Sequence, residues 1–218
     1  LIIASTQFVY KSENAHDYPK NINDYKPHTI YGKSKVITEE LVKSSKLNCS
    51  WTIIRPTTIW GPGDLAYRKQ FYQTLQNNFY FHPNCKKAIR SYGFVENVIH
   101  QLIKILLIDK KHTDKKVFYL GDRPIEVKNW VQEFLNQING KTIKEIPIFF
   151  FKIASLIGDL YEKILNRRFI IDSNRLKSMT ESYPVPIEDT FKILGDPLYS
   201  IEESVKKTLK WLQQSNNV

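Results

Sequence analysis

In the stretch TIYGKSK, residues 29–35, Tyr31 and Lys35 stand four positions apart with small or polar residues between them. Side chains at that spacing share one face of a helix. A free phenol, with a pKa of ~10, is a poor base near neutrality. A lysine ammonium beside it favours the phenolate and lowers that pKa toward the working range of an acid–base catalyst. The pair can therefore move a proton. It can equally be two ordinary residues stacked on a helix, with a solvated lysine. Spacing alone does not decide, because a chain with 12 Tyr and 32 Lys plus Arg makes such pairs by chance.

Other reactive residue types give little. His16, His28, His82, His100 and His112 form no close pair, and Cys49 and Cys85 lack metal-type spacing, so no metal site is expected. Two cysteines are too few for a disulfide framework. Asn48-Cys49-Ser50 is a glycosylation sequon, but no secretory signal accompanies it.

The elements that would hold Tyr31 and Lys35 follow from apolar patterning. LIIAS is an apolar run of the kind found in buried parallel strands. A polar loop follows to Pro27, and then a helix from about Ile30 to Ser45, with Val36, Ile37, Glu40, Leu41 and Lys43 as its amphipathic face and edge. WTIIRP is a second strand stopped by Pro56, TTIWGPGD a turn-rich loop, and a helix is expected near Ala66–Asn77. RSYGFV, KVFYLG and TIKEIPI read as strands, alternating with helices at ENVIHQLIKILLI and EVKNWVQEFLNQING. The remainder is mainly helical and ends in SIEESVKKTLKWLQQ, where Ser200 and Glu203 form a capping box. Alternating strands and helices imply βαβ units and a parallel sheet. Such sheets bind ligands outside their strands' carboxyl ends, and LIIAST, TIIRPTT and VFYLGD all end at that edge. The division expected is residues 1–140 for the sheet part, with interleaved lobe segments, and 141–218 for a mainly helical lobe.

Taken in order, ASTQFVY, Tyr31-x-x-x-Lys35, WTIIRPTTIWGPGD, RSYGFVENV, FYLGD and ILGDPLYSIEESVKKTLKWL resemble the extended short-chain dehydrogenase/reductase family, the NAD-dependent epimerases and dehydratases. The resemblance spans nearly the whole chain. It implies an α/β, Rossmann-like, doubly wound parallel sheet with a smaller helical substrate lobe. It also implies NAD or NADP as cofactor and a phosphate-bearing nucleotide sugar as substrate. By this resemblance Tyr31 is the acid/base, Lys35 bonds the nicotinamide ribose, and Thr6, with Ser5 as runner-up, bonds the reacting oxygen. Pro56, Thr57 and Thr58 approach the nicotinamide and substrate. Arg90 matches an Arg that holds a substrate phosphate, against the plainer reading of a surface Arg before an edge strand. Arg175 is a second candidate anion ligand.

The sequence departs from the family in three ways. The Gly-x-x-Gly-x-x-Gly turn that seats the dinucleotide pyrophosphate is not in these 218 residues, so the expectation is a chain without its main cofactor-binding half, binding NAD weakly. Gln7 and Phe8 stand where sugar dehydratases carry an Asp-Glu pair, which disfavours water elimination. The tail from Pro147 resembles the hydroxysteroid-dehydrogenase-like branch more than the sugar epimerases. Its apolar helix is expected to pack in a core, with a membrane-facing role as the lesser reading. Three functions remain open: a sugar epimerase or reductase, a dehydrogenase on an apolar alcohol, and a catalytically silent relative.

The net charge of +10 favours anionic small molecules, but no nucleic-acid signature accompanies it. No uncharged run reaches the ~18–20 residues that span a bilayer. A cytoplasmic setting without membrane contact is expected, and a homodimer is compatible with the pattern.

Overall fold

A computed structural model describes residues 1–64, 71–166, 169 and 171–215. Its elements in chain order are β1 (Ile2–Ala4), α1 (Ile30–Ser44), β2 (Thr52–Pro56), β3 (Thr58–Trp60), α2 (Gln73–Gln76), β4 (Phe81–Asn84), β5 (Ile89–Arg90) and β6 (Tyr92–Phe94). There follow α3 (Val95–Leu107), β7 (Lys116–Leu120), β8 (Ile125–Glu126), α4 (Val127–Ile138), β9 (Lys144–Pro147), α5 (Ile148–Leu165), α6 (Ser173–Thr180), α7 (Glu188–Leu194) and α8 (Ile201–Ser215). The expected start of a helix at Ala66 lies outside the described residues. TTIWGPGD, read as a loop, opens with strand β3, and β4 had no counterpart in the sequence reading.

The chain forms two compact units. The first combines residues 1–62, 90–125 and 183–218. Its sheet has the order β1-β2-β7, all parallel, with Ile2 beside Thr52, Ala4 beside Ile54, and Thr52 to Pro56 beside Lys116 to Leu120. This is the parallel βαβ arrangement expected, with α1 between β1 and β2 and α3 between β2 and β7. The strands are short, and β2 is buried along most of its length, which suits the unbroken apolar runs of LIIAS and TII. A second parallel pair, β3 with β6, sets Thr58 beside Tyr92. The core under the sheet joins Ile54, Val98, Ile105, Phe118, Leu120 and Leu194.

Residues 183–218 belong to this sheet unit, although the element order had drawn the boundary at 140. The reason is packing: Val185, Ile187 and Phe191 close over Tyr119 of β7, and Leu194 joins the sheet's core. The capping box at the start of α8 forms as expected, Ser200 N–H donating to Glu203 Oε2 at 2.8 Å and Glu203 N–H to Ser200 Oγ at 3.2 Å.

The second unit combines residues 63–89 and 126–182. It pairs β4 with β9 in parallel, Phe81 beside Lys144 through Asn84 beside Pro147. Its core is aromatic: the rings of Phe71 and Trp130 stack at 5.3 Å, with Phe134 edge-on to both. Among the described residues, no helix is long and apolar enough to cross a membrane.

Candidate active site at the carboxyl edge of the sheet

The carboxyl ends of β1 and β2 lead into Ser5-Thr6 and Thr57, and β7 leads through Gly121 into Asp122, all at one edge of the sheet. Thr6 is buried and extended, and its Oγ1 accepts from Phe8 N–H at 3.4 Å, starting a single 3-10 turn at Gln7–Val9. Helix α1 begins against that turn. Thr29 caps it, Oγ1 accepting from Gly32 N–H at 2.9 Å. Gly32 lets the two backbones meet, since a Cβ there would lie 2.3 Å from the Phe8 carbonyl oxygen. The glycine one residue after Tyr31 is thus what allows the helix start to sit on the strand end.

Tyr31 is 52% exposed at this edge. The Lys35 ammonium lies 5.8 Å from the centre of its ring and donates to the Ala4 carbonyl at 2.9 Å. One turn of helix thus carries both groups, and the lysine is tied to the last residue of β1.

The buried face of α1 holds Gly32 and Glu39, whereas Ile37 and Leu41 point to solvent. The amphipathic face read from the sequence is therefore turned outward, because an ion pair and not an apolar stripe fastens this helix to the sheet. Arg55, at the end of β2, is fully buried and donates from Nε to Glu39 Oε1 at 2.8 Å and from Nη2 to Oε2 at 2.7 Å. Ser5 Oγ donates to Glu39 Oε1 at 2.5 Å and Tyr25 Oη to Oε2 at 2.9 Å. Arg55 also reaches Tyr119 Oη at 3.0 Å and the Ile22 carbonyl at 2.8 Å. Burial pushes the Glu39 carboxyl up, but the Arg55 guanidinium, with Ser5 and Tyr25 donating, holds it below the usual range. Burial likewise opposes the charge on Arg55, and its bonds to Glu39 overcome this and raise its pKa. Neither residue was picked out from the sequence. The only signal was a charged residue inside an apolar strand, IIRP, which reads equally well as a strand end. Ser5, the runner-up for the reacting-oxygen contact, is committed to this network, which leaves Thr6 as the strand-end hydroxyl beside the 3-10 turn.

The residues after β2 divide. Pro56 closes the strand beside Leu120. Thr57 turns inward: its hydroxyl is buried without a hydrogen-bond partner, and Cβ atoms at Gly93 and Gly121 would lie 2.9 and 2.3 Å from it. Its side chain fills the sheet and only its backbone is left for a ligand. Thr58 Oγ1 accepts from the buried Gln7 Nε2 at 2.8 Å. Arg90 stands with its guanidinium 5.8 Å from the Tyr183 ring, and Tyr183 donates to the Tyr10 carbonyl at 2.5 Å. Phe8 packs edge-on to that same ring at 5.7 Å. Arg175 lies on α6 of the second unit, its Nε 3.9 Å from Asp172 Oδ2. Among the described residues there is no cluster able to hold a metal ion.

Asp122, following β7, was not singled out. Its Oδ2 accepts from Phe94 N–H at 2.6 Å and its Oδ1 from Asn97 Nδ2 at 2.7 Å, at the start of α3. Burial pushes its carboxyl up to about 6, against those two donors.

A model of the 3-beta hydroxysteroid dehydrogenase/isomerase family matches residues 5–148. The chain belongs to that family. The matched segment runs from Ser5 past Tyr31, Lys35 and Arg90, in agreement with the motif order that pointed to the extended short-chain dehydrogenases. Among solved structures, UDP-glucuronic acid 4-epimerase from Bacillus cereus, bound to UDP-glucuronic acid and NAD, is similar with a TM-score of 0.65 at 15% identity, over 98% of this chain and 61% of that one. ADP-L-glycero-D-manno-heptose-6-epimerase from Helicobacter pylori gives 0.63 at 18% identity, over 97% and 59%. An uncharacterized protein from Sinorhizobium fredii is 20% identical over 204 residues, 86% of this chain and 55% of its own length. These likenesses establish the Rossmann-like α/β fold of this family member. The chain spans less than two thirds of the length of each.

Proposed function

We propose that this chain carries the proton-transferring end of an NAD(P)-dependent epimerase or oxidoreductase acting, in the cytoplasm, on a nucleotide-activated sugar. When bound, the nicotinamide would take up a hydride from a carbinol carbon and return it. The observation that carries this reading is the placing of Tyr31 and Lys35 on one helical turn, half-exposed, at the carboxyl edge of a parallel sheet.

The donor set fits such a cofactor. The Lys35 ammonium has three N–H groups and gives one to Ala4, so two remain for ribose hydroxyls. Its Nζ lies 5.8 Å from the centre of the Tyr31 ring. Tyr31 Oη then receives the substrate hydroxyl proton during oxidation and returns it during reduction, while Thr6 Oγ1 orients the reacting oxygen. Pro56, Thr58 and the backbone of Thr57 border the cofactor and sugar. Arg90 offers a planar guanidinium to a substrate phosphate, and Arg175 is a second candidate for an anion. At the positions of a dehydratase's acids, Gln7 is locked to Thr58 and Phe8 packs on Tyr183, so neither supplies a proton.

The test is Tyr31→Phe in the protein expressed from its complete reading frame, assayed with NAD or NADP and UDP-sugars. General acid–base catalysis is worth ~10²–10⁴-fold, and turnover should fall by that factor or more while cofactor affinity and the urea midpoint hold. Near-normal turnover in the variant refutes the role. Arg90→Ala should raise KM for a UDP-sugar far more than for an uncharged alcohol.

A further inference from the structure

Gln7 follows the strand-end hydroxyl of Thr6 and is almost fully buried, with 1% of its surface exposed. Its main chain is fixed, the carbonyl accepting from Tyr10 N–H at 3.3 Å and from Tyr183 Oη at 3.4 Å. The two halves of its amide are placed differently. Nε2 donates to Thr58 Oγ1 at 2.8 Å, while Oε1 is buried and accepts no hydrogen bond. An acceptor left unpaired inside a protein costs stability, and an apolar side chain of similar shape would avoid that cost. What the amide supplies that a leucine or methionine cannot is the bond to Thr58.

That bond decides what Thr58 can do. A threonine hydroxyl has one hydrogen and two lone pairs. Turning the Gln7 amide over would hand it the Thr58 hydrogen and strand both Nε2 hydrogens. As with backbone amides, an orphaned N–H is the rarer outcome, which favours the orientation seen. With Gln7 donating, one lone pair of Thr58 is used and its hydrogen is left over. Thr58 is half-buried on β3, and this hydrogen has no acceptor among the described residues. The Gln7–Thr58 pair thus presents a hydrogen-bond donor at the sheet edge that carries Thr6.

We propose that Gln7 is a positioning residue for substrate binding, fixing the Thr58 hydroxyl as a donor to an acceptor oxygen of the bound sugar. Gln7 acts through Thr58 and touches no substrate itself, since its amide oxygen is sealed beneath the surface. The inference rests on the nucleotide-sugar reading above and adds to it the polarity of one contact.

The experiment uses the protein expressed from its complete reading frame, with NAD and with UDP-glucose and UDP-glucuronic acid as probes. Steady-state kinetics and calorimetric binding of the UDP-sugar are both read. Gln7→Leu and Thr58→Val should each raise KM and the dissociation constant by roughly 3- to 10-fold, the worth of one hydrogen bond to a neutral acceptor. kcat should stay within about twofold, because the contact is made in ground and transition states alike. The two changes together should cost no more than Thr58→Val alone, since they act on one contact.

Gln7→Glu gives a readout that packing does not move. Burial raises the pKa of the new carboxyl. Protonated, it donates to Thr58 as the amide does; ionised, it only accepts, and takes the Thr58 hydrogen away from the sugar. KM relative to wild type at the same pH should be near unity in acid and rise at least about fivefold through neutrality. Thr58→Val should abolish that pH dependence. The wild type at each pH is the reference for titrations elsewhere, those of Tyr31, Lys35 and the Tyr183 phenol that donates to Gln7 included. Where Gln7→Leu lowers the urea midpoint, Gln7→Glu, which keeps the size and polarity of the side chain, decides. An unchanged KM in either Gln7→Leu or Thr58→Val, in an enzyme that converts the sugar, overturns this inference and leaves the reading of function standing. So does a pH dependence of Gln7→Glu that survives Thr58→Val. A wild type that neither binds nor converts either UDP-sugar overturns both.

Discussion

Replacing Glu39 by Gln probes what holds helix α1 in place. The carboxylate takes two hydrogen bonds from Arg55, at 2.8 and 2.7 Å, and one each from Ser5 and Tyr25. Both ion-pair partners have no exposed side-chain surface. The neutral amide leaves the guanidinium buried and uncompensated, and breaking a buried pair from one side costs about 3–5 kcal/mol. With a urea m-value of ~2 kcal/mol/M, that moves the unfolding midpoint down by roughly 1.5–2.5 M. Glu39→Gln with Arg55→Met removes both charges and should recover most of the loss, because an apolar replacement of a whole buried pair is often near neutral. The pH dependence has a definite sign. Glu39 has a folded pKa below its ordinary 4.5, so the unfolded chain binds its proton more readily and stability from this group is complete above that value. It is lost as pH falls through the folded pKa, and the gap between wild type and variant should narrow in acid. Equilibrium urea unfolding followed by circular dichroism at neutral and acidic pH reads all three numbers. A single variant within ~1 kcal/mol of wild type, or a double variant worse than the single, refutes the reasoning.

Gly32→Ala should push α1 off the 3-10 turn, costing ~1–3 kcal/mol of stability as overpacking does and lowering kcat by up to ~10²-fold through misplacement of Tyr31; a variant with wild-type unfolding midpoint and turnover would show that the 2.3 Å approach to Phe8 is relieved for free. Asp122, raised by burial to about 6 from 3.8, binds its proton more tightly folded than unfolded. Its contribution therefore falls as pH rises between those values and is flat above them. Relative to wild type, Asp122→Asn should gain stability as pH is raised through that window in urea titrations; a pH-independent difference would mean the carboxyl is not perturbed.

Much of this architecture was legible in the sequence because its signals are local. LIIAS, TIIRP and KVFYL are short apolar runs of the kind that parallel strands use, and their ends brought Thr6, Thr57 and Asp122 to one edge. Tyr31, Lys35 and the Ser200–Glu203 capping box depend on spacing along one helix. What stayed hidden depends on which face of an element is covered. The pattern of α1 marks Ile37 and Leu41 as a face but not that Glu39, on the other side, meets Arg55. In α5 the same pattern marks Leu156 and Leu160, which stay exposed instead of packing in the expected core. Only Gly158, where a Cβ would lie 2.0 Å from the Ile171 carbonyl oxygen, shows that the small side is the inner one. Strand β4 was missed because Phe81-His-Pro-Asn84 contains a proline and no alternation, and it exists through its pairing with β9. The boundary at residue 140 rested on element order, which carries no record that Phe191 and Leu194 return to the sheet.

The contacts of α1 explain why its register against β1 is narrow. Three independent ties join them: Lys35 to the Ala4 carbonyl, Glu39 to the Ser5 hydroxyl, and Gly32 against the Phe8 carbonyl. They fall at successive turns of the helix and reach residues between Ala4, the end of the strand, and Phe8, so a one-residue slip of the helix would break all three together. For Tyr31 to transfer a proton as proposed, it would need close placement against its substrate, and at 52% exposure its side chain is only partly held by packing. Its position is instead set by the backbone beneath it. A fully buried charge pair suits this place: an apolar contact tolerates rotation and sliding, whereas a two-pronged guanidinium–carboxylate contact is directional. On this argument the double variant Glu39→Gln, Arg55→Met should regain stability without regaining full turnover, because what it lacks is the fixed angle of α1.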